Sequence, residues 1–79
     1  MSTRVVLYAA QGCHLCERAR QVLDEEGVSY REVDITGDAT LEARYREWLP
    51  VVEIDGERAF VYHVQAEGLR RKLASQSRP

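Results

Sequence analysis

The fold of this chain is decided by residues 4–19, which read RVVLYAAQGCHLCERA. The run at 4–9 is continuous and mostly apolar, a pattern typical of a central strand that is covered on both faces. Gly12 interrupts the run, and the spacing that follows predicts a helix over about 13–26. The apolar side chains of that helix share one face: Leu15, Ala19, Val22 and Leu23. The chain therefore passes from strand to helix within a few residues, and Gly12 permits the tight turn.

Both cysteines of the chain lie at this junction, in the segment Cys13-His14-Leu15-Cys16. Residues three apart on a helix have Cβ atoms about 5–6 Å apart. A disulfide needs Cα atoms about 4.4–6.8 Å apart, so the pair can close and open with little backbone movement. The start of a helix also favours thiolate over thiol, because its N–H groups are unpaired and carry partial positive charge. The pair predicts thiol–disulfide exchange; the alternatives are inert core thiols or half of a zinc site, since zinc needs four ligands.

The rest of the chain follows from periodicity and turn signals. The predicted elements are an edge strand at 28–35, a helix capped by Asp38 and ended by Pro50, a strand at 51–54, an Asp55-Gly56 hairpin turn, a strand at 58–62, a helix at 65–74 and a frayed tail at 75–79. We therefore expect one α/β domain over 1–79, with its core at about 4–74. Its order is β-α-β-α-β-β-α, with a four-stranded mixed sheet flanked by helices on both faces. Trp48 falls at helical spacing and is expected to pack in the core, with a position at the border of the substrate groove as the alternative.

Composition excludes several classes of protein. The chain has 79 residues and a net charge of −2, which predicts no nucleic-acid binding. The basic run at 70–72 is interpreted as a solvated last turn of the final helix. No stretch reaches the roughly 20 apolar residues of a membrane span, and the apolar run near the N-terminus is too short for a signal peptide. We expect a cytoplasmic monomer. In a reducing cytosol, a Cys-x-x-Cys pair is more often catalytic or metal-binding than structural.

The order of these motifs resembles the glutaredoxin branch of the thioredoxin fold. The similarity rests on a strand, then Gly12-Cys13-x-x-Cys16 opening a helix, then Leu49-Pro50-Val51 leading into a hairpin. It covers about residues 4–74. The run at 12–19, GCHLCERA, is most similar to short bacterial glutaredoxin-like proteins.

The resemblance implies a role for each site residue. Cys13 would be the nucleophile and Cys16 the resolving thiol. Pro50 would be the cis-proline that faces the dithiol, and Leu49 would offer backbone groups to an extended substrate. The remaining substrate-binding prediction falls on the two residues between the cysteines, His14 and Leu15. No metal and no tightly bound cofactor is expected.

The sequence departs from the glutaredoxin pattern at one place. Glutaredoxins carry a Gly-Gly pair after the fourth strand, which helps to hold glutathione. Here residues 61–64 read VYHV, and bulky side chains would block close approach of a ligand to the backbone. The departure argues against bound glutathione and leaves the reductant open between glutathione and a thioredoxin reductase-type system.

The sequence is therefore compatible with two functions. The first is a thiol–disulfide oxidoreductase that reduces protein disulfides or mixed disulfides through Cys13 and Cys16. The second is a protein-binding module in which the same cysteines act as a redox switch or bridge a metal. Three further side chains have open interpretations. His14 would stabilise a Cys13 thiolate or be a solvated surface residue. Arg18 would attract anionic substrates or the thiolate, or be a plain surface residue. His63 would lie near a ligand or have no role.

Overall fold

The structure is a computed structural model that describes residues 4–76, and it contains one four-stranded sheet. Its strands are β1 (Val5–Ala9), β2 (Arg31–Asp34), β3 (Val51–Ile54) and β4 (Glu57–Val61). The order across the sheet is β2-β1-β3-β4. β1 runs parallel to β2 and antiparallel to β3, and β3 runs antiparallel to β4. The predicted central first strand and edge second strand are both confirmed.

Three helices complete the fold: α1 (His14–Glu25), α2 (Ala39–Tyr45) and α3 (Ala66–Gln76). A short 3₁₀ turn, Arg46–Trp48, follows α2. The element order is the predicted one, but β2 is shorter than the predicted 28–35. Only four residues of β2 pair with β1, and Ile35, just beyond them, is fully buried. In the described residues, no helix is both long enough and apolar enough to cross a bilayer.

The core lies on both faces of the sheet because neighbouring strand residues point in opposite directions. One cluster joins β1 and β3 to α1 and α3, through residues that include Leu7, Val52 and Leu69. The second cluster lies against α2 and includes Val51 and Tyr45. The predicted helices on both faces are therefore confirmed.

Local signals in the sequence set the ends of α1 and the hairpin. Gly27 has a φ of 68°, and its N–H donates to the carbonyl of Asp24 at 3.0 Å. The N–H of Val28 donates to the carbonyl of Leu23 at 3.0 Å, which completes a Schellman motif. The Asp55-Gly56 turn has positive φ at both residues, 52° and 85°, as a two-residue hairpin turn requires.

Trp48 contradicts its predicted core position, since it is 42% exposed. The helix was expected to continue to Pro50, but it gives way to the 3₁₀ turn after Tyr45, which is the buried aromatic residue. The backbone of Tyr45 leaves helical geometry, with φ −121° and ψ −19°, so the 3₁₀ turn starts in a new direction and Trp48 does not continue the buried face of α2. The side chain that packs against the core at this junction is Leu49.

The basic run at 70–72 lies within α3 rather than in its last turn, because that helix continues to Gln76. Two of its members pair with acidic side chains. Arg70 Nε donates to Glu26 Oε1 at 2.5 Å and Nη2 to Glu26 Oε2 at 3.2 Å, joining α3 to the end of α1. The Nη2 atom of Arg71 lies 3.5 Å from Oε1 of Glu67 on the same helix. The hydrogen bond from Arg70 holds the pKa of Glu26 below its ordinary value of 4.5.

The Glu26–Arg70 pair predicts a pH-dependent contribution to stability. Because the pKa of Glu26 is lowered by folding, its carboxylate stabilises the folded state above its ordinary pKa and loses that contribution as the pH falls. We expect the free energy of unfolding of the wild type to exceed that of Glu26→Gln at neutral pH, with the difference shrinking between about pH 6 and pH 3. Urea titrations at several pH values measure this. Glu25→Gln is the control, since within residues 4–76 Glu25 has no ion pair. A difference that stays constant with pH would contradict the prediction.

Candidate functional site

Cys13 is the N-cap of α1 and the first residue of the candidate site. Gly12 precedes it with a φ of 73°, and Cys13 itself is extended, with φ −98° and ψ 105°. Its Sγ accepts a hydrogen bond from the backbone N–H of Cys16 at 3.2 Å. The sulfur thus takes the place of the oxygen that usually caps a helix, and it satisfies one of the N–H groups that the first turn leaves unpaired.

Cys13 and Cys16 form a disulfide, with their Cα atoms 5.2 Å apart. The two sulfurs have different surroundings. Cys16 has no exposed surface and belongs to the core cluster under α1, whereas Cys13 is partly exposed at the edge of that cluster. An incoming thiol or disulfide therefore has access to Cys13 before Cys16.

The two residues between the cysteines lie on different sides of α1. The side chain of His14 is 96% exposed, and its Nδ1 lies 4.0 Å from Oε2 of Glu17, one turn further along. The imidazole is therefore in solvent beside a carboxylate. Leu15 is partly buried and faces the segment that leads into α3. The structure brings Leu15, more than His14, into the surface next to the dithiol.

The Leu49–Pro50 peptide bond is cis, as the resemblance implies. Sheet register places it beside the dithiol. Tyr8 pairs with Val51 in the antiparallel β1–β3 ladder, so Pro50 lies next to Ala9, at the end of β1 from which the chain continues to Cys13. Leu49 is extended, with φ −62° and ψ 142°, and both Leu49 and Cys13 pack against the core cluster that contains Cys16. Residues distant in sequence thus meet at one end of the sheet.

Tyr62 lies in the 61–64 segment, where the resemblance to glutaredoxins would place a Gly-Gly pair, and its backbone is in the left-handed region with φ 65°. The N–H of His63 donates to the carbonyl of Val61 at 2.7 Å, which makes Tyr62 the centre of a γ-turn. A γ-turn with positive φ is rare and strained, above all for a bulky residue. The structure therefore adopts at this position a conformation that glycine would adopt at less cost.

Contacts to the Pro50 segment hold Tyr62 in that conformation. Its N–H donates to the carbonyl of Pro50 at 3.0 Å and, more weakly, to that of Trp48 at 3.4 Å. Its hydroxyl donates to the carbonyl of Glu47 at 3.0 Å. Its ring lies 6.1 Å from the ring of Trp48, and both rings are more than two-fifths exposed. These exposed aromatic side chains border the site beside Pro50. The exposure of Trp48 contradicts the preferred core position and agrees with the alternative, a position at the border of the site.

The second aromatic pair, Tyr8 and Tyr45, lies on the opposite face of the sheet from α1. Their ring centroids are 4.0 Å apart, and the Tyr45 hydroxyl donates to Glu53 Oε2 at 2.9 Å. Burial and this hydrogen bond raise the pKa of Tyr45 well above its ordinary value. The pair is part of the α2-side core. As for metal ligands, no group of three or more His, Cys, Asp or Glu within residues 4–76 is arranged to hold an ion.

The unequal burial of the cysteines predicts unequal reactivity in the reduced protein. Iodoacetamide should alkylate Cys13 at least about tenfold faster than Cys16, because Cys13 is accessible and lies at the helix start, where thiolate is favoured. Time-resolved peptide mass spectrometry measures both rates, and Cys13→Ser and Cys16→Ser isolate each thiol. Equal rates, or faster modification of Cys16, would refute this order.

Comparison with known proteins agrees with this geometry. The family model described as "Glutaredoxin-like domain (DUF836)" matches residues 4–74. The structural genomics target protein XcR50 from X. campestris has a TM-score of 0.80 and 30% identity, covering 90% of this chain and 96% of that chain. Glutaredoxin 1 from Francisella tularensis, complexed with cacodylate, has the same fold, with a TM-score of 0.63, 21% identity, and coverage of 95% and 96%.

A curated relative matches over a shorter stretch. The "Gene 56 protein" of Mycobacterium phage D29 is 44% identical over 39 residues, which is 49% of this chain and 43% of that protein. The matched stretch thus spans less than half of that relative. Since the family model extends over almost all of the described residues, this protein belongs to the glutaredoxin-like domain family and has the thioredoxin fold.

Proposed function

We propose that this protein is a thiol–disulfide oxidoreductase in which Cys13 and Cys16 are the reactive dithiol. The observation that carries the proposal is the contrast within one disulfide: a partly exposed sulfur at the start of α1, bonded to a fully buried one. Nucleophilic thiolates in proteins occur at accessible positions near helix N-termini, and buried thiols are inert until a partner comes within reach.

The reaction proceeds in two exchange steps. The Cys13 thiolate attacks one sulfur of a substrate disulfide, the substrate S–S bond breaks, and the departing thiolate takes a proton from solvent. Cys16, after losing its own proton, then attacks Cys13 Sγ, and the bound substrate sulfur leaves as a second thiolate. Two electrons pass from the dithiol to the substrate, and the Cys13–Cys16 disulfide remains. A separate reductant, a thiol such as glutathione or a thioredoxin reductase-type enzyme, must return the two electrons.

Leu49, Pro50, His14 and Leu15 are the proposed substrate-binding residues. Leu49 has the extended backbone that can pair with an extended substrate, and it lies immediately before the cis-proline. Leu15 offers partly buried apolar surface on the side of α1 that faces Tyr62. His14 is fully accessible, but it lies beside Glu17, so its effect on Cys13 would act through solvent and be small.

We propose a thioredoxin reductase-type enzyme, rather than glutathione, as the reductant. Tyr62, in the place of a glycine, presents its ring and its turn beside Pro50, where glutaredoxins leave the backbone open. The proposed setting is the cytoplasm, where thiols are kept reduced, and the proposed state is a monomer. No observation favours the protein-binding or metal-bridging module.

Activity on a model disulfide tests the proposal. Cys13→Ser should abolish reduction of a protein disulfide such as that of insulin, because it removes the attacking thiolate. Cys16→Ser should instead accumulate a mixed disulfide between Cys13 and the substrate, detectable by mass spectrometry, since the resolving thiol is missing. Unchanged activity in Cys13→Ser would refute the assignment.

The reduction potential tests the direction of electron flow. Equilibration in glutathione buffers should give a potential of about −200 to −270 mV, the range of glutaredoxins and thioredoxin. A value near −120 mV would indicate an oxidant instead. If the pair forms no disulfide in oxidising buffer, the dithiol mechanism fails and the binding module takes its place.

A further inference from the structure

A surface groove of about 280 Å³ lies between α1 and the segment that leads into α3, beside the proposed dithiol. Its apolar lining comes from Leu15, Ala19 and Val22 of α1 and from Val64. Leu15, Ala19 and Val22 recur at helical spacing, as does Arg18, so all four side chains lie along one side of α1. The groove was not predicted, because it joins two segments that no local pattern relates.

The polar lining of the groove is cationic or neutral. Arg18 lies along it, and His63 contributes an imidazole from the other side. No aspartate or glutamate lines the groove. The nearest acidic neighbour of Arg18 in the sequence, Glu17, instead lies beside His14. The groove is therefore positive although the chain as a whole has a net charge of −2.

Arg18 is exposed and, within residues 4–76, has no ion pair or hydrogen bond. Arg20, on the same helix, is different, since its guanidinium donates twice to Glu32, at 2.8 Å each. Arg20 thus joins α1 to β2, while Arg18 is left available to an external partner. A guanidinium presents a planar set of donors that matches a carboxylate, so the partner that complements it is an acidic side chain.

Tyr62 and the start of α3 close the far side of the groove. Gln65 lines it and directly precedes α3, and the carbonyl of Gln65 accepts from the N–H of Leu69 at 2.9 Å. The unpaired N–H groups of the first turn of α3 therefore add positive potential next to the groove. The backbone N–H of Tyr62 donates to the carbonyl of Pro50, and Tyr62 also lines the groove. Tyr62 therefore links the cis-proline segment to the groove.

We propose that this groove is the docking site for the segment of a disulfide-bearing protein that follows the reacting cysteine, and that Arg18 selects an acidic residue in it. This inference rests on the proposed oxidoreductase function. Arg18 lies five residues beyond Cys13, which is an axial distance of about 7.5 Å along α1. Two residues of an extended segment span about 7 Å. The acidic side chain therefore lies about two positions from the cysteine that Cys13 attacks, with apolar side chains against the lining of the groove.

Stoichiometric reduction of two peptides tests this inference. Both carry one cysteine as a mixed disulfide with 5-thio-2-nitrobenzoate, followed by Val-Asp in one peptide and Val-Asn in the other. Protein that has been reduced and freed of reductant attacks the peptide sulfur, and absorbance reports the released thionitrobenzoate. The two peptides differ by one negative charge, so the ratio of their second-order rate constants measures charge selection alone.

The wild type should react about three- to fivefold faster with the Asp peptide, the size expected for one exposed ion pair. Arg18→Gln should bring the ratio to about one, and higher ionic strength should reduce the wild-type ratio. Arg31→Gln is the matched control. It removes the same charge from a second surface groove, on the α2 face of the sheet, and should leave the wild-type ratio unchanged.

Four results would overturn the inference. A wild-type ratio of one, or a ratio that survives in Arg18→Gln, means that Arg18 selects nothing while the oxidoreductase function stands. If Arg18→Gln slows the reduction of glutathione disulfide and of the Asp peptide by the same factor, the groove binds the anionic glutathione moiety rather than a protein segment. Failure of the wild type to release thionitrobenzoate from either peptide refutes the proposed function itself.

Discussion

The pairing of β1 with β3 is the interaction on which the rest of this structure depends. It joins Val5–Tyr8 to Val51–Ile54 and brings the end of β1 next to the start of β3. The chain leaves β1 toward Cys13, and it enters β3 through Pro50, so this single ladder brings the dithiol and the cis-proline together. Both strands contribute to both core clusters, and the apolar burial that stabilises the sheet also fixes the site. A domain of this size buries little apolar surface beyond these clusters, so its stability depends on them.

Cys13 has a structural task as well as the chemical one proposed for it. Its sulfur caps α1 by accepting from the N–H of Cys16, and a thiolate in the same place would accept that bond more strongly than a neutral thiol. The helix start and the thiolate therefore stabilise each other. Cys16 has the complementary position, one turn into α1 and fully enclosed by the core. The two sulfurs differ in exposure because Cys13 lies at the accessible start of α1, whereas Cys16 lies one turn further along, against the core.

Tyr62 shows how strain at a site edge is compensated by its neighbours. A left-handed γ-turn disfavours a bulky residue, yet the N–H and hydroxyl of Tyr62 both donate to carbonyls of the 47–50 segment. Hydrogen bonds of this kind each contribute about 1 kcal/mol, comparable to the cost of the backbone conformation. Tyr62 and the cis-proline segment thus form one hydrogen-bonded unit. The aromatic side chain of Tyr62 lies in the segment where the resemblance to glutaredoxins would place a Gly-Gly pair, while the Cys-x-x-Cys pair matches the glutaredoxin pattern.

The sequence by itself determined the element order, the strand-to-helix junction that carries the cysteines, the Gly27 helix end and the Asp55-Gly56 turn, because each depends on neighbouring residues. The cis state of Pro50 followed from the family resemblance and not from local physics, since an X–Pro bond is more often trans. Only the tertiary structure decided the exposure of Trp48, the left-handed backbone of Tyr62 and the groove beside Arg18. Each of these depends on contacts between segments far apart in the chain: the 3₁₀ turn against β4, Tyr62 against Pro50, and α1 against the start of α3. Local patterns specify such segments one at a time, but packing alone specifies where they meet.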